Sequence, residues 1–124
     1  MANPYMRQFF YSKIPMLSGI MGQINVASST TGVTSENILG ASAARTGVGE
    51  ITITLDETWN ACMGVHVMIE SATAQDRVAQ VASVDVTSAK TIVVRLLAGA
   101  TATDPASALT MHVLILLKNS SVTY

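Results

Sequence analysis

Two histidines stand in the middle of apolar, alternating runs: His66 in GVHVM (64–68) and His112 in TMHVL (110–114). Imidazole titrates near neutral pH and ligates zinc, so if the two runs pair, these rings together with Glu70 or Asp85 would outline a metal or acid–base site. No third ligand stands at a supporting spacing. A histidine inside a strand ordinarily hydrogen-bonds within the sheet or lies at an interface, and the pair is read as structural. Cys62, in NACMGV, is the only cysteine, which excludes a disulfide framework and a CxxC metal knuckle. A nucleophilic thiol needs a positioned base, so Cys62 is read as a small buried hydrophobe. Asp56 and Glu57 follow EITITL directly. As a pair they would suit a glycosidase or a calcium site, but acids at a strand exit are ordinarily solvated turn residues. TGVGE (46–50) contains Gly47 and Gly49, yet a strand follows it, so no helix N-terminus is offered to a phosphate. Trp59 would stack on a sugar or anchor a core or interface, and the second role is taken. No catalytic residue, bound metal or cofactor is expected.

The elements that carry these residues are strands. EITITL (50–55) alternates Ile51, Ile53 and Leu55 with Glu50, Thr52 and Thr54, and GVHVMIE (64–70) sets Val65, Val67 and Ile69 against His66, Met68 and Glu70. VAQVASVDV (78–86), TIVVRLL (91–97) and LTMHVLILLK (109–118) follow, and GQINVA (22–27) adds a further candidate. Between them lie TGVG, SATAQD, TSAK and AGATATDPAS, all turn-forming. Short alternating strands at this spacing describe an all-β fold, an antiparallel β-sandwich or a barrel-like jelly roll. One helical turn is expected at TSENILG (34–40), with Ser35 as cap and Gly40 as stop. In the last strand Met111, Val113, Ile115 and Leu117 share one face, and the other face holds His112, Leu114 and Leu116. A sandwich strand normally keeps one polar face. This one is either covered on both sides or meets another subunit, and His112, Leu114 and Leu116 are expected to form an interface.

Composition narrows the class. A chain of 124 residues makes one domain with one core. Only 12% of residues are charged, against about 25% in typical soluble domains, and mean hydropathy is +0.42. A membrane helix is excluded on length. The uncharged stretch Ile14–Ser35 is broken by Pro15, Gly19 and Gly22, and the apolar run LTMHVLILL has nine residues against the roughly 20 a span needs. A net charge of −1 gives no basic field for nucleic acid. The interrupted apolar start does not make a signal peptide, and synthesis in the cytoplasm is expected. A weakly charged β domain is then best explained as a subunit covered by neighbours.

The opening MANPYMRQFFYSKIPML lacks the alternation of the rest. Pro4 and Pro15 resist continuous helix, Tyr5, Phe9, Phe10 and Tyr11 offer rigid contact area, and Arg7 and Lys13 are cations with no acid nearby. Residues 1–20 are read as a docking arm and 21–124 as the single β-sandwich domain. Tyr5, Arg7, Phe9, Phe10, Tyr11 and Lys13 are its expected interface residues.

RTGVGEITITL (45–55), an Arg, a Gly-x-Gly and an alternating strand closed by Asp56, resembles the opening β-hairpin of domains in small virion structural proteins of tailed bacteriophages, namely capsid decoration (cement) proteins and fibre head domains. The order that follows is similar to theirs: a turn (DETWNACMG), a long strand (VHVMIES), two middle strands and a last apolar strand (LTMHVLILLKN). The resemblance implies a non-enzymatic all-β subunit, often a homotrimer, built into a virion and held to the major capsid (shell) protein, with no nucleic acid or membrane partner. Fibres usually carry a long shaft before the head, and only about forty residues precede this hairpin, which favours capsid decoration. A fibre or tail-associated head domain and a carbohydrate-binding β-sandwich using Trp59 stay open. So does a small β-barrel hydrolase, which the histidine pair alone supports.

Overall fold

In the computed structural model, which describes residues 17–119, the chain is folded almost entirely as strands. These are β1 (Leu17–Val26), β2 (Val33–Ile38), β3 (Ala41–Gly47), β4 (Glu50–Leu55), β5 (Ala61–Glu70), β6 (Val78–Asp85), β7 (Thr91–Ala98), β8 (Thr101–Ala102) and β9 (Leu109–Lys118). They form two antiparallel sheets, one in the order β2-β1-β9-β5 and one in the order β3-β4-β7-β6 with β8 paired to β7. The pairing is nested: β9 lies between β1 and β5, and β7 lies between β4 and β6. The expected β-sandwich is the observed fold.

Period-two alternation decides which side chains meet between the sheets. Ile20, Ile24 and Val26 of β1 and Met111, Val113, Ile115 and Leu117 of β9 are buried from one side. Ile51, Ile53 and Leu55 of β4 and Ile92, Val94 and Leu96 of β7 are buried from the other. Val65, Val67 and Ile69 of the edge strand β5 pack on the same cluster while remaining half-buried. Each fully buried aliphatic side chain contributes about 1.5–3 kcal/mol relative to its exposed state.

The β3–β4 hairpin is the one expected from RTGVGE, with Gly47 opposite Glu50, Arg45 opposite Ile51, and a bulge between. Its tip requires glycine. Gly49 has φ +62°, and a Cβ there would lie 2.8 Å from the Leu96 carbonyl oxygen.

Two expectations are corrected. TSENILG forms no helical turn: residues 33–38 are edge strand β2, paired to β1 through Gly22–Ile38, Gln23–Asn37 and Asn25–Ser35. Val33 and Ile38 are too far apart for a helical stripe, and β1 offers a free row of backbone partners. Gly40, with no helix to stop, sits at φ +96° in the tight turn from β2 into β3. Ala41–Gly47 carries an Ala/Ser pattern with weak strand propensity and is built into the sheet by pairing with β4. The other correction is the arm boundary. Leu17–Ile20 pair with Ile115–Lys118 as the start of β1, so they belong to the sandwich. The rest of the arm, with Tyr5, Arg7, Phe9, Phe10, Tyr11 and Lys13, lies outside the described residues.

The two faces of β9 should respond differently to the same polar change. Ile115→Asn places an unpartnered amide in the core and removes aliphatic packing, a cost of several kcal/mol against a total of about 5–15. Soluble, cooperatively melting protein is not expected. Leu114→Asn, one residue away and facing outward, should fold with an unchanged far-ultraviolet spectrum. Equal tolerance at both positions would contradict the observed strand orientation.

Candidate functional site

The outward faces of the two sheets differ in chemistry. On the β3-β4-β7-β6 sheet the outward rows are Ser42–Thr54–Thr91 and Ala44–Thr52–Val93, followed by Glu50–Arg95–Gln80. Most of these groups are small or polar, Val93 excepted, and the next row, Leu97–Val78, is apolar with Val78 61% exposed. On the β2-β1-β9-β5 sheet the rows read Gly64–Leu116–Gly19, His66–Leu114–Met21, Met68–His112–Gln23 and Glu70–Thr110–Asn25. Half of this face is apolar. Met68 is 73% exposed and Met21 50% exposed, and Leu114 and Leu116 are half-buried between their cross-strand neighbours. One end is tied by a polar ladder: Thr110 Oγ1 donates to Asn25 Oδ1 (2.9 Å), and Asn25 Nδ2 donates to Ser35 Oγ (2.7 Å).

A groove of about 1110 Å³ opens over this face. Met21, His66, Met68 and Leu114 contribute to its floor; Asn37, Leu39 and Gly40 line it at the β2–β3 turn, and Asp56, Glu57 and Trp59 at the β4–β5 turn. The two turns are joined, since the Asp56 amide donates to the Gly40 carbonyl (3.0 Å). It is larger than most small-ligand pockets, which run about 300–1,000 Å³.

The structure brings His66 and His112 onto one face, as strand pairing predicts, but in diagonal register, His66 opposite Leu114 and His112 opposite Met68. His112 Nε2 lies 2.7 Å from Glu70 Oε1, forming a surface pair with Glu70 70% exposed. The cross-strand neighbours of His112 are Met68 and Gln23, neither a nucleophile. Among the described residues no three His, Cys, Asp or Glu side chains are grouped to hold a metal ion. Asp85 is in the other sheet, where its carboxylate caps a turn by accepting from the Ser88 amide (3.0 Å). That bond and one from the Ala89 amide hold its pKa below the ordinary carboxylate value. Cys62 is half-buried at a β5 bulge and packs on the core. Trp59 is likewise half-buried against the core, its amide donating to the Val86 carbonyl (2.8 Å). His112, Leu114 and Leu116 share the outward face, as their spacing implied.

The sequence reading missed the clamp at the opposite end of the sandwich. Arg45 projects from the inner face of β3 and meets Asp104 side on, Nε to Oδ1 at 2.9 Å and Nη2 to Oδ2 at 2.8 Å. The Gly49 amide also donates to Asp104 Oδ1 (2.9 Å), and Arg77 Nε donates to the Asp104 carbonyl (2.9 Å). Arg45 and Asp104 lie 59 residues apart, so no local pattern pairs them. The Arg45 hydrogen bond, with help from the Gly49 amide, holds the Asp104 pKa below its usual value. This is a structural lock, in which the carboxylate accepts from Arg45 through both oxygens and from the Gly49 amide.

No family model, curated protein or solved structure matches the chain in sequence or fold.

Because the folded-state pKa of Asp104 is depressed, its charge contributes stability above the unfolded value of about 4. That contribution is lost as pH falls through the lower folded value. The melting temperature of Asp104→Asn should therefore lie several degrees below that of the native chain at pH 7, with the gap closing in acid below about pH 4. A gap independent of pH would show that the carboxylate charge is not what locks this end. His112→Gln should retain the fold, since the ring's hydrogen bond goes to an exposed carboxylate. Elemental analysis of the native protein should find no stoichiometric metal, and zinc lost in His112→Gln would overturn the structural reading of this pair.

Proposed function

We propose that this protein is a non-enzymatic structural subunit of a virion, decorating or cementing the capsid of a tailed bacteriophage as a homotrimer held to the major capsid protein. The observation that carries the reading is the outward face of the β2-β1-β9-β5 sheet. A sandwich face set with Met21, Met68, Leu114 and Leu116, in a chain with few charges, is expensive to leave in water and is economically covered by another protein. The Ser and Thr rows of the other sheet suit the solvent side of such a particle, and its apolar part is confined to Val93 and the Leu97–Val78 row. The resemblance of RTGVGEITITL and of the strand order to virion domains supports the class, and the hairpin at 41–55 agrees with it. The aromatic segment before β1 would supply anchors to the shell, because aromatic and Arg side chains dominate interface energetics. Trp59 gives little support to glycan binding, being packed against the core.

Light scattering of the purified chain should give a trimer at micromolar concentration. Leu114→Asp combined with Leu116→Asp should leave the far-ultraviolet spectrum unchanged while abolishing both self-association and binding to shells. A stable 13.0 kDa species from the native chain, or a double variant that still assembles and binds, would overturn the reading.

A further inference from the structure

We propose that the groove on the β2-β1-β9-β5 sheet is the seat of the chain's own N-terminal segment, residues 1–16, laid back across Leu114 and Met21. Three observations carry this. The first is where the segment joins. Ser18, Gly19 and Met21, the first residues of β1, themselves line the groove, so residues 1–16 arrive at its edge. Sixteen residues reach about 50 Å when extended, more than the roughly 33 Å length of β9.

The second is charge. The segment carries Arg7 and Lys13 and no acid. Residues 17–124 then hold five Lys and Arg against eight Asp and Glu, a net charge of −3. Two of those acids, Asp56 and Glu57, line the groove. They stand close to the start of β1: the Asp56 amide is bonded to the Gly40 carbonyl, and Ile20 Cδ1 would lie 3.6 Å from a Cβ on Gly40. Lys13, four residues before Leu17, is within reach of them.

The third is size and surface. A groove of about 1110 Å³ with methionine and leucine in its floor fits a run of side chains such as Phe9, Phe10 and Tyr11 better than one small ligand. The seated segment would also give the free subunit a cover for its apolar face and turn arm and face into one composite docking surface. The seat concerns the free subunit and does not depend on the virion reading.

The test uses the full-length chain, mixed as ¹⁴N and ¹⁵N forms and treated with a zero-length carbodiimide, which joins an amine to a carboxylate. The expected product links Lys13 to Asp56 or Glu57 with no isotope mixing. The triple variant Phe9→Ser, Phe10→Ser, Tyr11→Ser should reduce that link at least about fivefold. In the same samples, peroxide should oxidise Met21 and Met68 more slowly than Met63, the reverse of the order set by side-chain exposure, 73% for Met68 against 44% for Met63. The triple variant should remove that protection. Isotopically mixed links would assign the groove to a second copy's segment. Absent links with unprotected Met21 and Met68 would leave it open, and protection that survives in the triple variant would assign it to another occupant; each of these overturns the proposal. Light scattering on the same samples reads the trimer separately, so failure of the seat and failure of the assembly reading are distinguishable.

Discussion

The fold depends on one continuous apolar layer, the contact between the inner rows of β9 and β1 on one side and of β4 and β7 on the other. Met111, Ile115 and Leu117 are fully buried against Ile51, Ile53, Ile92, Val94 and Leu96 in the same cluster. The strands that supply most of this layer are the central ones of their sheets, hydrogen-bonded along both edges. Their backbone groups are therefore satisfied within the ladders while their side chains are removed from water, and no polar or charged side chain is buried among the described residues. The edge strands β2, β3, β5 and β6 contribute smaller or half-buried groups. The gradient from dry centre to wet edge is the reason a chain of this size can hold two sheets together.

A sandwich closed only by apolar packing has open ends, and each end here is closed differently. At one end the Arg45–Asp104 pair, the Gly49 amide and Arg77 tie the β3–β4 hairpin to the segment before β9. The guanidinium is well suited to this place because its planar fork matches both carboxylate oxygens, while its stem passes beside Gly32. At the other end the β2–β3 and β4–β5 turns are joined through Gly40 and Asp56, and Trp59 covers the margin of the core. The second closure leads directly into the groove, which Gly40, Asp56 and Trp59 line.

The outer faces explain the composition. A chain with 12% charged residues must leave surface that is neither ionic nor buried. On one sheet that surface is mainly Ser and Thr, with Val93, Leu97 and Val78 as its apolar part; on the other it is Met, Leu, Gly and His, arranged by cross-strand register into an apolar half and a hydrogen-bonded polar half. The His112–Glu70 contact belongs to this polar half and helps set its boundary, which gives the histidine a structural role consistent with its place between Met68 and Gln23.

The sequence by itself determined the all-β class, the bounds of β4, β7 and β9 to within a residue or so, and the inward face of β9. In those segments a period of two coincides with β-branched or long aliphatic side chains, and local propensity and burial point the same way. It also determined the β3–β4 turn, since a Gly-x-Gly before an alternating strand leaves few other backbone paths. Only the tertiary structure decided β2 and β3, whose Thr, Ser, Asn and Ala residues have no strong preference and become strands because β1 and β4 offer them unpaired edges. It alone decided that His66 and His112 lie in diagonal register, that Asp85 is on the other sheet, and that Arg45 finds Asp104. The His112–Glu70 and Arg45–Asp104 contacts join residues 42 and 59 positions apart. Their geometry is set by how ladders slide into register around a shared core, and no short stretch of chain carries that information.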